Sequence, residues 1–313
     1  MTRRSNNREG KGASMKESTR ELYLRPLLFQ ENITAIILIP TLFFFFLKTS
    51  EGIKENIPLA ILVAVTAGTI GLIIGPLVKY VLVKPAIDLM DKEKCSQQEI
   101  QKAVRSASVL PLAESVVVFL RWAPFAIPIC MGTFYFKGLI TAPEALFGTN
   151  ALIMTALLVV PFFYLASENS LVPFYQHCKM KGILDRDMNL FRLSLSQKLF
   201  FTMLFVAVPP LGLIIGTIYL SIATGLNLAS IQMGFFIILF ETVLLTFING
   251  FLLMKSLKIS VGRMSFMFKD MAKGEGDLTK RLEVTGLNEV GELAFWFNEF
   301  MDNIEQIVGH VRE

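Results

Sequence analysis

The chain has few of the residues on which metalloproteins and enzymes depend. It contains three cysteines and two histidines, and only His177 and Cys178 are adjacent. A structural zinc site needs four such ligands, and no second pair stands at ligand spacing. The sequence also shows no nucleotide fingerprint, nucleophile triad or two-metal carboxylate set. It therefore predicts a protein that is not an enzyme and binds neither a metal nor another cofactor.

Charge is also scarce, and it is unevenly distributed. Charged residues make up 18% of the chain and hydrophobic residues 53%, with 27 phenylalanines among 313 residues. The charges crowd into the two ends and a few loops, and long apolar runs separate them. Helices that cross a membrane require such runs, and soluble domains avoid them. The composition predicts an all-α, polytopic protein in contact with membrane lipid, and the net charge of +4 does not indicate nucleic-acid binding.

Six apolar runs each approach the length needed to cross about 30 Å of hydrocarbon. We predict that they form a transmembrane sensor region at 25–255, preceded by a basic and disordered cytosolic tail at 1–24. The predicted transmembrane helices are 33–47, 57–83, 109–136, 151–166, 199–222 and 231–254.

Loop charge predicts the orientation of these helices. Lysine and arginine are concentrated in the first 24 residues, between the second and third runs, and between the fourth and fifth. The other loops carry few basic residues or none in excess. Since basic loops stay on the cytoplasmic side, the N-terminus, the two longer loops and the C-terminal segment are predicted to be cytoplasmic.

Ionisable residues in or beside these runs are costly to bury and indicate function. Glu114 and Arg121 lie seven residues apart in the third run, on one helix face. Glu241 lies midway along the sixth run, and Glu168 follows the fourth. One interpretation is a polar cluster in which Arg121 pairs with Glu241 or Glu114 and a ligand, proton or lipid headgroup shifts the pairing. The alternative is a structural ion pair, with Glu114 and Glu168 near the headgroups.

The last segment, 256–313, has a different pattern. Apolar residues recur in alternating steps of three and four along two stretches joined by a short connector. This spacing is the seam of helices that pack in coiled coils or parallel bundles. Each stretch alone is too short to be stable, so the two are expected to pack together and against a second chain. The seam residues are Leu257, Val261, Met264, Phe268, Met271, Val290, Leu293, Phe297, Phe300 and Ile304.

The connector carries motifs that resemble a known family. Residues 274–282 read GEGDLTKRL, in which Leu278 and Leu282 are two spaced apolar anchors, and Glu289, Val290 and Gly291 open the second stretch. With the WFN sequence at 296–298, these motifs resemble the HAMP domain, the signal-relay module of bacterial transmembrane receptors. They are most similar to HAMP domains of methyl-accepting chemotaxis proteins. Ser260 stands where that family usually has proline, and Asn288 where it usually has aspartate.

The resemblance implies a receptor in the bacterial inner membrane that relays a stimulus through the HAMP-like domain to a cytoplasmic output, most similar to the chemotaxis type. That domain, 256–313, is then expected to form a parallel four-helix bundle as a homodimer. We expect no output domain within these 313 residues, so the output is assigned to a cytoplasmic signalling partner or a missing domain. Three alternatives remain: the input half of a sensor histidine kinase or of an adenylate or guanylate cyclase, a transporter or channel with a cytosolic gating module, and a structural scaffold.

Overall fold

The computed structural model is predominantly helical over the residues that it describes, with no strand among them. The prediction of an all-α protein is therefore confirmed for that part of the chain. The described residues are 17–35, 46, 50–92, 95–180, 193–225, 228–273, 281–282 and 289–312.

Ten α-helices follow one another in these ranges, together with π-helical turns at Arg20–Leu24, Arg121–Ala126 and Pro128–Gly132. The helices are α1 (Arg25–Ile33), α2 (Glu51–Glu55), α3 (Ile57–Asp91), α4 (Gln97–Leu120), α5 (Thr133–Phe136), α6 (Ala142–Ser170), α7 (Val172–Met180), α8 (Leu195–Thr224), α9 (Leu228–Lys273) and α10 (Glu289–Arg312).

Four helical segments in the described residues are long and apolar enough to cross a membrane. They are Ile57–Asp91, Gln97–Phe136, Ala142–Cys178 and Leu195–Thr224, and they contain the second to fifth predicted spans. The first predicted span, 33–47, falls largely outside the described residues. The sixth, 231–254, lies within α9. A total of six spans therefore stays a prediction.

Helix α6 is the centre of the bundle. Of its most apolar stretch, 61% is buried by the rest of the protein, against 17–19% for the other three segments. It packs against α4, α8 and α9, while the main contacts of α3 are with α4. The outer helices consequently present large apolar side chains on the surface, as helices surrounded by lipid do.

Two glycines let α8 approach α6 closely. A Cβ on Gly212 would lie 2.5 Å from Met154 Sδ, and a Cβ on Gly216 would lie 2.5 Å from Asn150 Nδ2. Asn150 Nδ2 also donates a hydrogen bond to the carbonyl oxygen of Gly212, at 2.9 Å. Small residues four apart on membrane helices serve this kind of close packing.

The helix that starts as α4 changes its winding at Arg121. Pro124 and Pro128 have no backbone N–H to donate, so the regular α-helical hydrogen-bond ladder cannot run through them. The chain instead forms the two π-helical turns, Arg121–Ala126 and Pro128–Gly132, before α5 resumes. Such turns often mark functional positions because they redirect side chains.

The structure describes the end of the tail predicted at 1–24, residues 17–24. Residues 17–24 are helical, and Leu22 is fully buried in a cluster with Val83 and Phe174. Ser18 Oγ also donates to Asp91 Oδ1, at 2.7 Å. Leu22 and Ser18 thus contact the bundle, and a disordered tail at 1–24 stays a prediction. Residues 1–16 lie outside the described ranges.

Thiol labelling tests the predicted orientation. In a chain without its three native cysteines, Gln98→Cys and Ala142→Cys each place an exposed thiol at the start of one apolar segment, α4 and α6 respectively. We expect a membrane-impermeant maleimide added to intact cells to label Ala142→Cys only, because basic loops place Gln98 in the cytoplasm. Both variants should be labelled in opened membranes, and labelling of Gln98→Cys in intact cells contradicts the orientation.

Candidate functional site

A buried polar cluster lies where α1, α3, α4 and α6 meet. Its members are Gln30, Lys79, Glu114 and Ser167, none more than 6% exposed. Lys79 Nζ lies 2.9 Å from Glu114 Oε1 and donates to Gln30 Oε1 at 2.5 Å. Gln30 Nε2 donates to Glu114 Oε2 at 3.0 Å and to Ser167 Oγ at 2.8 Å. Because each helix contributes one member, the hydrogen bonds tie the four helices together.

A second ion pair lies beside this cluster. Arg121 donates from Nη1 to Glu31 Oε1 at 2.7 Å and from Nη2 to Glu31 Oε2 at 2.9 Å. The side chains are 7% and 13% exposed, and the two parallel hydrogen bonds make this the stronger form of such a pair. A Cβ on Gly75 would lie 2.7 Å from Arg121 Nη1. This glycine of α3 therefore makes room for a guanidinium group.

The predicted partners of Arg121 are wrong. The sequence suggested Glu114 or Glu241, but Arg121 binds Glu31 and Glu114 binds Lys79. Arg121 opens the π-helical turn, and a carboxylate from α1 meets it there. Sequence reasoning missed Lys79 although it is the one charge in the run 57–83. It missed Glu31 because that residue precedes the first apolar run.

The other two predicted acids lie elsewhere in the bundle. Glu168 forms an ion pair with Lys198, where α6 meets the start of α8. Glu241 lies on α9 with 4% exposure, and its Oε1 has no hydrogen-bond partner among the described residues. Asn249 on the same helix is fully buried, and both of its amide atoms are likewise unpartnered in that part of the chain. No described contact joins Glu168 or Glu241 to the Lys79–Glu114 cluster.

Helices α9 and α10 meet through aromatic and small side chains. The rings of Phe268 and Phe297 pack edge to face, with centroids 5.0 Å apart and an interplanar angle of 81°. Ala294, Phe297 and Met301 are buried on α10, at spacings of three and four that define one helix face. The two stretches of the C-terminal segment thus pack against each other within the chain.

The end of the connector is fixed to α10. Asn298 Oδ1 accepts the backbone N–H of Leu282 at 2.7 Å, and Asn298 Nδ2 donates to the carbonyl of Leu282 at 3.0 Å. Arg281 donates to Asp302 at 2.8 Å and to Glu305 at 2.7 Å. The side chain of Leu282 is 1% exposed. Asparagine suits position 298 because its amide can both accept a hydrogen bond from the backbone N–H of Leu282 and donate one to its carbonyl.

The predicted seam residues fall into three groups. Leu282 and Phe297 are buried, and Ile304 is half-buried. Val261, Phe268, Leu293 and Phe300 keep about half of their surface exposed, at 49–57%. Backbone position alone is described for Leu257, Met264 and Met271 on α9 and for Glu289, Val290 and Gly291 in the first turn of α10, and Leu278 lies outside the described residues.

The profile of the HAMP family matches residues 261–306, the stretch that contains the packed helix pair and its connector. Residues 261–306 are a HAMP domain. Similar segments occur in three methyl-accepting chemotaxis proteins of Pseudomonas aeruginosa: TlpQ is 54% identical over 46 residues, CtpM 52% over 42 and PctB 51% over 43.

This homology is confined to the HAMP domain. The aligned segments make up 13–15% of this chain and only 6–8% of the three chemotaxis proteins. No solved structure matches the chain significantly. The HAMP domain therefore relates the protein to chemotaxis receptors, and the transmembrane bundle has to be interpreted from its own residues.

Removing one member of the buried ion pair should destabilise the bundle strongly. Lys79→Met leaves the Glu114 carboxylate buried without its cation, which costs about 3–5 kcal/mol in such pairs. Lys54→Met is the matched control, because the Lys54–Glu51 pair lies on the surface and such pairs contribute no more than about 1 kcal/mol. The measurement is the thermal unfolding midpoint of the purified full chain in detergent.

The double variant Lys79→Met/Glu114→Leu separates pairing from simple loss of packing. It removes both charges and should recover part of the stability that Lys79→Met loses. If Lys79→Met unfolds at the same temperature as Lys54→Met, the buried pair does not hold the bundle together.

Proposed function

We propose that this protein is a membrane-embedded signal transducer of the chemotaxis type, which relays a stimulus from its transmembrane bundle through the HAMP domain to a cytoplasmic output. The HAMP domain and its relatives among chemotaxis proteins support the class. The observation that carries the proposal is α9, one unbroken helix that packs on the bundle and then enters the HAMP domain.

The N-terminal part of α9 contributes to the apolar core of the bundle. Leu245 and Leu252 are buried in one cluster with Phe162 and Leu165 of α6. Asn169 Nδ2 of α6 also donates to the carbonyl oxygen of Leu252, at 3.4 Å. A rearrangement of α6 or its neighbours therefore acts directly on α9.

The C-terminal end of the same helix, from residue 261, belongs to the HAMP domain. Its 46 residues correspond to about 70 Å of helix, more than twice the thickness of the hydrocarbon layer. Leu245 in the bundle and Phe268 in the HAMP domain are thus about 35 Å apart along one rod. A rotation, tilt or sliding movement of α9 changes the packing of Phe268 on Phe297, and two such packings would form the switch.

Unpaired polar groups on α9 support the proposal that this helix moves. Glu241 and Asn249 are buried without partners in the described part of the chain, and burying a polar group without a hydrogen bond costs free energy. This cost lowers the stability of the present position of α9 relative to any position that satisfies these groups.

The relay is proposed to act as a parallel homodimer. Val261, Leu293 and Phe300 remain about half exposed beside the α9–α10 contact, and heptad-spaced apolar residues of this kind pack against partner helices. We further propose six spans, a multi-pass inner-membrane location and cytoplasmic termini. Residues 25–255 then form the sensor region and 256–313 the relay.

A transporter or channel gated by the HAMP domain is the second candidate. Charged side chains inside a membrane bundle often line a solute pathway, and the pairs Lys79–Glu114 and Arg121–Glu31 are such groups. Solute flux through the unaltered protein in liposomes would favour this function. The HAMP domain would then act as a gate.

A change in helical phase tests the relay. In a hybrid, residues 1–306 are joined to the signalling segment of the P. aeruginosa receptor TlpQ. Two alanines inserted between Lys255 and Ser256 rotate the C-terminal end of α9 by about 200°, whereas four alanines rotate it by about 400°, close to a full turn. We expect the first insertion to change kinase output roughly tenfold, within the range of allosteric coupling.

The four-alanine insertion is the control, because it nearly restores the phase while lengthening the helix more. It should keep most of the original output. Equal output from both insertions and from the unaltered hybrid would contradict a relay through α9. The readout is kinase activity in membranes from cells that lack other chemotaxis receptors.

A further inference from the structure

A cavity of about 90 Å³ lies between α1, α3 and the π-helical segment that follows α4. It is lined by residues of the apolar segments Ile57–Asp91 and Gln97–Phe136, so we expect a molecule to reach it from the lipid. Trp122 and Phe134 form part of one wall. Another part of its wall consists of small residues of α3, namely Ala60, Ala64, Ala67, Gly68 and Gly71.

One end of this cavity is polar. Arg121 and Glu31 line it together with Thr34. Arg121 is 9% exposed, and its Nε has no hydrogen-bond partner among the described residues. That nitrogen lies 3.2 Å from the place where a Cβ on Gly71 would stand, so it lies over the glycine wall. A buried N–H is stabilised when an acceptor meets it and costs free energy when none does.

The charge around Arg121 defines the kind of acceptor. Glu31 already neutralises the guanidinium through two hydrogen bonds, at 2.7 and 2.9 Å. The neighbouring pair of Lys79 and Glu114 is neutral as a unit as well. An added carboxylate would have to be desolvated beside the charge of Glu31 without a new cation. A neutral oxygen acceptor incurs no such penalty.

The volume and lining of the cavity limit the apolar part of a molecule that could bind there. An apolar cavity of about 150 Å³ admits benzene, so a cavity of about 90 Å³ fits a methylene chain better than fused rings. The wall of alanine and glycine is smooth, and it continues along a helix that faces lipid. A chain held there can leave its remaining length in the membrane.

We propose that this cavity binds a neutral, membrane-soluble molecule with a narrow methylene chain and a carbonyl oxygen, and that Arg121 Nε donates a hydrogen bond to that oxygen. The site follows from the cavity and the ion pair alone. It does not depend on relay through the HAMP domain, although a stimulus that enters from the bilayer would suit that relay.

Tryptophan fluorescence tests the proposal directly. The chain has two tryptophans: Trp122 lines the cavity and Trp296 lies in the HAMP domain. In the full chain with Trp296→Phe, reconstituted in nanodiscs, Trp122 is the sole fluorophore. The probe is a long-chain methyl ketone that carries two bromine atoms near its carbonyl end, because bromine quenches tryptophan only on contact. The matched probes are the dibrominated alkane and the dibrominated fatty acid of equal length.

We expect saturable quenching of Trp122 by the ketone. Its half-saturation, expressed as mole fraction in the lipid, should be about tenfold below that of the alkane, the factor that one added hydrogen bond typically provides. The fatty acid should bind more weakly than the ketone at neutral pH.

Three glycine variants separate the polar and apolar parts of the site. Gly71→Ala places a methyl group 3.2 Å from Arg121 Nε and should abolish the advantage of the ketone over the alkane. Gly68→Ala adds a methyl group to the cavity wall, where nothing lies within 4 Å, and should weaken both probes alike. Gly132→Ala is the control, since its methyl group also meets nothing within 4 Å and Gly132 is not one of the lining residues.

Other outcomes overturn the proposal. Equal affinity for ketone and alkane would remove the hydrogen bond to Arg121, and tighter binding of the fatty acid would remove the argument from neutral charge. No saturable quenching at all would mean that the cavity holds water or nothing. Failure of the hybrid receptor to signal would leave these binding results unchanged, so the two proposals fail separately.

Discussion

Charge buried in a membrane bundle has to find its partner inside the protein, and this constraint organises the helices around α6. Lys79, Glu114, Gln30 and Ser167 come from four helices and are joined by one ion pair and several hydrogen bonds. Apolar packing alone does not fix how helices are oriented relative to one another in lipid. A leucine side chain gains little free energy when it exchanges a lipid tail for another leucine as its neighbour. A buried network of this kind limits that freedom, since a slip of one helix breaks its ion pair or its hydrogen bonds.

Helix α9 stands outside this network, and in our proposal that difference separates the fixed part of the bundle from the moving part. It packs on α6 through leucines, while its buried Glu241 and Asn249 have no partners in the described residues. The same helix reaches the HAMP domain, where Phe268 meets Phe297 and Asn298 holds the connector at Leu282. In this proposal, a small movement of the end of α9 that packs on α6 changes the contact between Phe268 and Phe297 at the other end.

Much of this architecture could be predicted from the sequence because its signals are local. Apolar runs predict helices in lipid whatever their neighbours, and the GEGDLTKRL connector with its heptad flanks indicates a HAMP domain. The partner of Arg121 could not be predicted in this way, because a π-helical turn and a carboxylate from another helix determine it. The role of Lys79 could have been predicted, because it is the only charged residue in the apolar run 57–83. The burial of Leu22 could not have been predicted, because it depends on residues of α3 and α7 that are distant in sequence.

Disulfide cross-linking in membranes tests most directly whether α9 continues into a parallel dimeric HAMP domain. Single cysteines are placed at each position from 257 to 271 in a chain without the native three. Strong cross-links between chains at Leu257, Val261, Met264, Phe268 and Met271, with weak ones between them, are the predicted result. Cross-linking without this period, or none along the whole stretch, would contradict the dimeric relay.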